Sequence, residues 1–148
     1  MTDVSSAVDA IDLRIIDILR GEARISWREL GERVHLSPTS SADRVRRLEQ
    51  LGVIEGYSAR IDPVAVGRAL RAVVAVNLPA TMDPADFEAR LAERPEIAFA
   101  AFIAGAADYS IVVDCDGPSG LDEFIRWLKH AGGAARTESN VVLRRVVA

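Results

Sequence analysis

The residues best suited to chemistry lie close together: Ser37, Thr39, Ser40, Asp43, Arg44, Arg46 and Arg47. Hydroxyls near a helix start suit phosphate oxygens, and an arginine fork one turn further on can reach a guanine edge or the sugar-phosphate backbone. Thr39, Ser40, Asp43, Arg44 and Arg47 are expected to point outward, with Arg46 on the flank. Asp43 fits such a surface by orienting a neighbouring arginine or by accepting from a cytosine amine. Arg28 adds a further cation for electrostatic docking. Every basic residue except Lys129 is arginine, so nearly every cation of the chain can bind a phosphate or guanine in bidentate fashion. An ordinary solvated face is the plainer reading of the three arginines, but it does not explain why they follow a short turn between two capped helices.

Other chemistry is sparse. One cysteine, Cys115, cannot close an internal disulfide, and the two histidines, His35 and His130, are too few for a zinc site. Cys115 reads as a small core residue on a strand face, and His130 as a cation welcome at a helix C-terminus. No Ser-His-Asp set, phosphate loop or metal spacing emerges, so no catalytic residue, metal or cofactor is expected. A net charge of −4 argues against a polybasic nucleic-acid coat while leaving the charge of any one face open. The longest apolar run, residues 97–107, falls well short of the roughly 20 residues a bilayer span needs. Residues 1–8 lack the basic cluster and apolar run of a secretory signal, which points to the cytoplasm.

The elements that must position the arginines can be read from periodicity. The 148 residues, 49% hydrophobic and 27% charged, have the balance of a folded protein. Asp9 is placed to cap a first helix carrying Ile11, Ile15, Ile18 and Leu19 on one face and stopping at Gly21. Ser26 and Glu29 have capping-box spacing at the start of a second helix running to about Val34. Ser37 followed by Pro38 opens a third, with Ser41, Val45 and Leu48 inward and Gly52 beyond its end. Only His35 and Leu36 separate the last two helices, and so short a connection predicts the steep crossing of a helix-turn-helix. Gly31, inside the second helix, costs roughly 1 kcal/mol relative to alanine, and a close backbone approach at the turn would explain it.

Beyond the helices the period changes to two. Ile54–Asp62 is expected to be a half-buried strand acting as a linker, and Asp62-Pro63 to cap one short turn ending at Gly67. Leu70–Leu78 reads as a strand and Asp83-Pro84 as the start of a helix with Phe87 and Leu91 inward. Ile97–Ala104 and Tyr109–Cys115 read as a hairpin joined by a turn over Gly105–Asp108. Ser119 and Asp122 have capping-box spacing before the stripe Leu121, Phe124, Ile125 and Leu128, and Arg136–Val147 reads as a final strand. The order β-α-β-β-α-β predicts a ferredoxin-like antiparallel sheet with both helices on one face. Val73, Ala75, Ala98, Ala100, Val112, Val142 and Val146 would lie on the other face, an apolar surface that predicts dimerisation, sheet against sheet.

The stretch from Arg24 to Pro63, with LSPT at 36–39, RVRRLE at 44–49, GVI at 52–54 and GY at 56–57, resembles the DNA-binding half of the Lrp/AsnC (feast/famine) regulators. The likeness continues more weakly through GAADY at 105–109 and ARTESNVVL at 135–143. It implies an α+β chain: a winged-type helix-turn-helix domain over residues 1–53, a β-strand and short-turn linker over 54–69, and a ferredoxin-like (RAM-type) domain over 70–148 that binds an effector and oligomerises. It implies a transcriptional regulator of double-stranded DNA, acting as homodimers that in the family often assemble into octamers and typically sense amino acids. Carried over by position, Gly105, Ala106, Asp108, Tyr109, Thr137 and Ser139 are the effector candidates. Ala106 and Ala107 stand where the family often has a polar and an aromatic residue, pointing to a bulkier apolar ligand, a different effector or none. A turn residue bonding its own backbone is the plainer role for Asp108. Two other readings compete: a metabolite-binding module or small enzyme on the ferredoxin-like half, and an architectural DNA-binding protein without effector response.

Overall fold

The computed structural model describes residues 7–146, and the chain divides into two compact units, one up to Ala59 and one from Arg60 onward. Three helices make the first: α1 (Ala10–Gly21), α2 (Trp27–Val34) and α3 (Pro38–Gln50). Their starts follow local cap chemistry. Asp9 accepts from the Asp12 N–H at 2.9 Å while the Asp9 N–H donates to the Asp12 carboxylate at 3.1 Å, a complete reciprocal cap. Ser26 accepts from the Glu29 N–H at 3.2 Å, but the Glu29 carboxylate turns outward to Arg33 at 2.5 Å, so only half of the expected box forms. Ser37 Oγ accepts from the Ser40 N–H at 3.0 Å, with Pro38 in the first turn where its missing N–H costs nothing.

Ile15, Leu30, Val34, Val45 and Leu48 close the core of this unit, each fully buried aliphatic chain contributing about 1.5–3 kcal/mol. Ser41 is buried with them because its hydroxyl donates to the Ser37 carbonyl at 3.0 Å. The connection from α2 to α3 is set by two residues. His35 ends α2 in the left-handed region (φ 59°, ψ 42°). Gly31 lies under the turn, where a Cβ would stand 2.6 Å from the Leu36 carbonyl oxygen and 3.3 Å from Pro38 N. The glycine is therefore the price of the close approach that the sequence suggested.

The expected strand over Ile54–Asp62 does not form. Residues 55–62 are exposed and lie in no ladder, because no strand among the described residues pairs with them. The turn after it does form: Asp62 accepts from the Val64 N–H at 3.0 Å, and Arg68 N–H reaches the Pro63 carbonyl at 2.7 Å across Gly67.

The second unit runs β1 (Leu70–Asn77), α4 (Pro84–Ala92), β2 (Ile97–Phe102), β3 (Tyr109–Cys115), α5 (Pro118–Trp127) and β4 (Arg136–Val141). Its sheet has the order β2-β3-β1-β4 with every neighbouring pair antiparallel. Ala72, Val74, Val76, Tyr109, Ile111, Val113 and Cys115 face the helices, where Phe87 and Leu91 of α4 and Leu121, Phe124 and Leu128 of the α5 segment complete the core. On the other face Val73 and Val112 are half-buried and opposite one another, beside a bidentate pair in which Arg71 donates to Asp114 at 2.5 and 2.6 Å.

Several details depart from the sequence reading. A bulge between Ile97 and Phe99 shifts the phase of β2: Phe99 pairs with Val112 and Ala101 with Ser110 on the open face, whereas Ala100 pairs with the buried Ile111. Ala98 and Ala100 therefore do not continue that face as expected. β2 stops at Phe102 and β4 at Val141, which pairs with Ala72; Val142 makes one more bond to the Arg71 carbonyl, Val146 is exposed, and Val147 lies outside the described residues. Ser119 caps nothing, because the chain enters α5 earlier, through Gly117 and Pro118, and Asp122 instead pairs with Arg126. A π-helical segment, Leu128–Gly132, extends α5 and is closed by Gly133 at φ 85°.

Candidate nucleic-acid interface and effector region

Helix α3 presents Thr39, Ser40, Asp43 and Arg46 to solvent, while Ser41, Ala42, Val45 and Leu48 point into the core. Arg46 donates to Asp43 at 2.8 Å in an exposed pair, which contributes little to stability and leaves both groups available. The Ser37 hydroxyl is committed to the cap and lies 2.8 Å from the Ser40 hydroxyl. Arg28 projects from α2 and pairs with Glu32 at 3.1 Å, a similarly exposed and weak tie.

Arg44 and Arg47 depart from the simple outward picture. Arg44 Nη1 donates to Asp9 at 2.7 Å and to Asp12 at 2.9 Å. Arg47 pairs with Asp12 through Nη2 and donates to the Ala7 carbonyl at 2.8 Å through Nη1. The two guanidiniums thus lean toward the start of α1, with 27% and 43% of their side chains still exposed, and the Asp12 carboxylate between them is 0% exposed. The Asp12 N–H, then Arg44, holds the Asp9 carboxyl below the ordinary aspartate value, and Asp9, then Asp12, pushes the Arg44 value up. The cluster is two carboxylates against two guanidiniums, neutral overall. Asp9 and Asp12 were not among the expected site residues. Their signal was an aspartate in helical phase with the buried Ile15 on an otherwise isoleucine-rich face.

In the second unit the effector candidates gather at one end of the sheet. The Asp108 carboxylate accepts from the Leu78 N–H at 2.8 Å and its own N–H donates to the Val76 carbonyl at 2.9 Å, so its side chain ties the hairpin turn to β1, while its carbonyl closes the turn by accepting from the Ile103 N–H at 2.8 Å. Asn77, which the sequence did not single out, donates to the Ala106 carbonyl at 2.9 Å and accepts from the Ala135 N–H at 2.8 Å. Gly105 and Ala106 are exposed at the tip. Thr137 pairs with Val76 across from Tyr109, and Ser139 with Val74; both are half-buried. The Tyr109 and Thr137 backbones are two strand spacings apart, about 10 Å.

Tyr109 itself is a core residue. Its ring is buried against Phe87 and Phe102, with centroids 4.9 and 5.2 Å away, and its hydroxyl donates to Glu88 at 2.8 Å. Burial, followed by Glu88, pushes its phenol up to about 12. Its hydroxyl is thus committed to Glu88. A groove of about 420 Å³ runs beside β2 and α4, with Glu88 and Arg94 among its polar lining residues and Leu91, Ala100 and Phe102 among its apolar ones. Cys115 is buried and its thiol pushed up, chiefly by burial. Among the described residues no group of histidines, cysteines and carboxylates could hold a metal ion, and no helix is long and apolar enough to cross a membrane.

A helix-turn-helix with polar and cationic groups on its second helix, joined in one chain to a ferredoxin-like unit, defines a DNA-binding regulator with a separate sensory domain. The winged helix-turn-helix DNA-binding family matches residues 8–55, and the Lrp/AsnC ligand binding domain matches residues 71–148. The chain belongs to the Lrp/AsnC family of transcriptional regulators. It is 36% identical over 121 residues to the HTH-type transcriptional regulator LrpC of Bacillus subtilis, covering 80% of this chain and 81% of the relative. Among solved structures, a Neisseria meningitidis transcriptional regulator in complex with L-Met superposes with a TM-score of 0.90 at 27% identity, covering 95% of this chain and 93% of the other. A feast or famine regulatory protein of M. tuberculosis complexed with L-methionine superposes with a TM-score of 0.88 at 34% identity, covering 95% of each chain. The relatives are regulators and not enzymes, so the catalytic reading of the ferredoxin-like half falls.

Proposed function

We propose that this protein is an amino-acid-responsive regulator that reads double-stranded DNA through α3 and works in the cytoplasm as a homodimer able to assemble further. Thr39, Ser40, Asp43 and Arg46 form the outer reading stripe, with Arg44 and Arg47 behind it and Arg28 and Ser37 near the flanking phosphates. The effector lies against the turn at Gly105, Ala106 and Asp108 and the start of β4 at Thr137 and Ser139, with Tyr109 as the wall behind. One observation carries this reading: the Asn77 and Asp108 bonds join the hairpin turn, the end of β1 and the entry to β4 into a single unit. A small ligand pressing on the turn therefore moves strands that belong to the sheet. The L-methionine complexes of two similar structures favour an amino acid as that ligand.

Dimerisation uses the open sheet face, where Val73, Ala75, Phe99, Ala101 and Val112 leave apolar surface without a helix above it. The test is a fluorescence-anisotropy titration of the protein with duplex from its own upstream region and with scrambled duplex, at two salt concentrations, with and without single amino acids. Preferential binding that one amino acid shifts is the expected result. Preferential binding that no amino acid shifts would leave an architectural role, and equal binding to both duplexes would reject sequence reading by α3.

A further inference from the structure

We propose that Asp12 is the positioning residue of DNA recognition: its buried carboxylate fixes where the Arg44 and Arg47 forks stand and thereby lets α3 discriminate between base sequences. The inference rests on α3 being the DNA-contacting helix. Asp12 touches no surface that DNA could reach, since its side chain is 0% exposed. It nevertheless receives three donors: the Asp9 N–H at 3.1 Å, Arg44 Nη1 at 2.9 Å and Arg47 Nη2. Asp9 closes the ring by accepting from Arg44 at 2.7 Å and from the Asp12 N–H at 2.9 Å. The Ala7 carbonyl holds the second prong of Arg47 at 2.8 Å.

Arg44 and Arg47 are one helical turn apart, so without a carboxylate between them they would repel and sweep through solvent. A carboxylate taken fully out of water is stable only when paired and hydrogen-bonded, which makes the two arginines as necessary to Asp12 as it is to them. The forks remain partly exposed, at 27% and 43%. Reading a guanine edge or a defined phosphate requires a guanidinium in one plane and direction, and a pre-oriented side chain loses less freedom when it binds. Non-specific attraction to DNA depends on charge and is indifferent to that direction. Loss of Asp12 should therefore separate the two.

The experiment uses the full chain, a duplex enriched for tight binding from a random pool, and a scrambled duplex of the same composition. Asp12→Asn keeps the size of the side chain and removes its charge. The expected result is that binding to the enriched duplex weakens on the order of tenfold while binding to the scrambled duplex holds or strengthens. A merely structural role would weaken both together, in step with the folded fraction read by circular dichroism. Arg47→Lys is the second variant, keeping the charge but losing the two-pronged tie, and it is expected to narrow the preference in the same way should Asp12→Asn not fold. Equal shifts on both duplexes, or no shift on either, overturn the proposal. Thr39→Ala and Arg46→Ala separate the causes: if they abolish the preference while both Asp12→Asn and Arg47→Lys preserve it, Asp12 has no positioning role and the reading of α3 stands. If none of these variants changes the preference, both fail.

Discussion

Replacing Gly31 by alanine reverses the sign that helix propensity alone predicts. In a free helix the added methyl group would gain about 1 kcal/mol. Here the new carbon would lie 2.6 Å from the Leu36 carbonyl oxygen, 0.8 Å inside ordinary contact at 3.4 Å, with Ser37 C and Pro38 N at 3.3 Å behind it. All three atoms are backbone, and the turn that carries them is pinned at both ends: Leu36 N–H bonds the Gly31 carbonyl at 2.9 Å and Ser37 caps α3. Relief by rotating a side chain is impossible, so the cost belongs at the upper end of the ~1–3 kcal/mol that overpacking brings. The net effect is a loss of about 1–2 kcal/mol, or a fall in Tm of roughly 5–15 °C for a unit this small. Urea unfolding followed by Trp27 fluorescence, in a Trp127→Phe background, isolates the helical unit. Gly21→Ala is the control, since nothing stands within 4 Å of its added carbon, and it should leave stability equal or slightly raised. If Gly31→Ala proves as stable as its parent, the turn yields freely and close approach is not the reason for the glycine.

Tyr109 titrates late. Burial, reinforced by Glu88, pushes its phenol up to about 12, so ultraviolet titration of the folded Tyr57→Phe variant should show no phenolate step near pH 10. The folded value lies above the unfolded one, so this contribution to stability is complete below pH 10 and is lost as the pH rises toward 12; a step at pH 10 in that folded variant would contradict the buried hydroxyl of Tyr109. Phe99→Arg replaces a ring that is 59% exposed, so the chain should fold as before, while sedimentation equilibrium should show a lower mass; unchanged assembly would remove the open sheet face as the dimer surface. Asn77→Ala deletes the bond to the Ala106 carbonyl, worth about 1 kcal/mol. It should raise the amino-acid concentration needed for half response several-fold while leaving binding to duplex alone unchanged, and an unaltered response would uncouple the turn from the effector.

Features governed by local chemistry were legible in the sequence. Asp9, Ser26, Ser37 and Asp83 each cap the helix their spacing announced, because a cap needs only a side chain and the next few amides. Ser119 failed for a local reason as well: Gly117 and Pro118 start α5 first. The phase of β2 could not be read, since Ile97-Ala98-Phe99-Ala100-Ala101-Phe102 is apolar in either register and only pairing with β3 shows where the extra residue falls. The strand expected over Ile54–Asp62 alternates correctly but has no partner among the described residues, and alternation alone makes no ladder. The candidate DNA face was legible where side chains are placed by α3 and its cap alone, as with Thr39, Ser40 and Arg46. It was hidden for Arg44 and Arg47, whose orientation is decided by carboxylates more than thirty positions earlier in the chain.

The bulge in β2 has a second effect, on what the protein avoids. β2 is an edge strand, uncharged and free of proline and glycine, with Phe99 and Phe102 largely exposed. A short apolar segment of that kind, laid flat, is a template on which identical chains stack into fibrils. Doubling two residues of β2 against one of β3 twists the edge and breaks its regular row of donors and acceptors. A second β2 approaching side-on would then meet a ladder with one rung out of step. The irregularity that shifts Phe99 to the open face thereby guards the edge against strand addition.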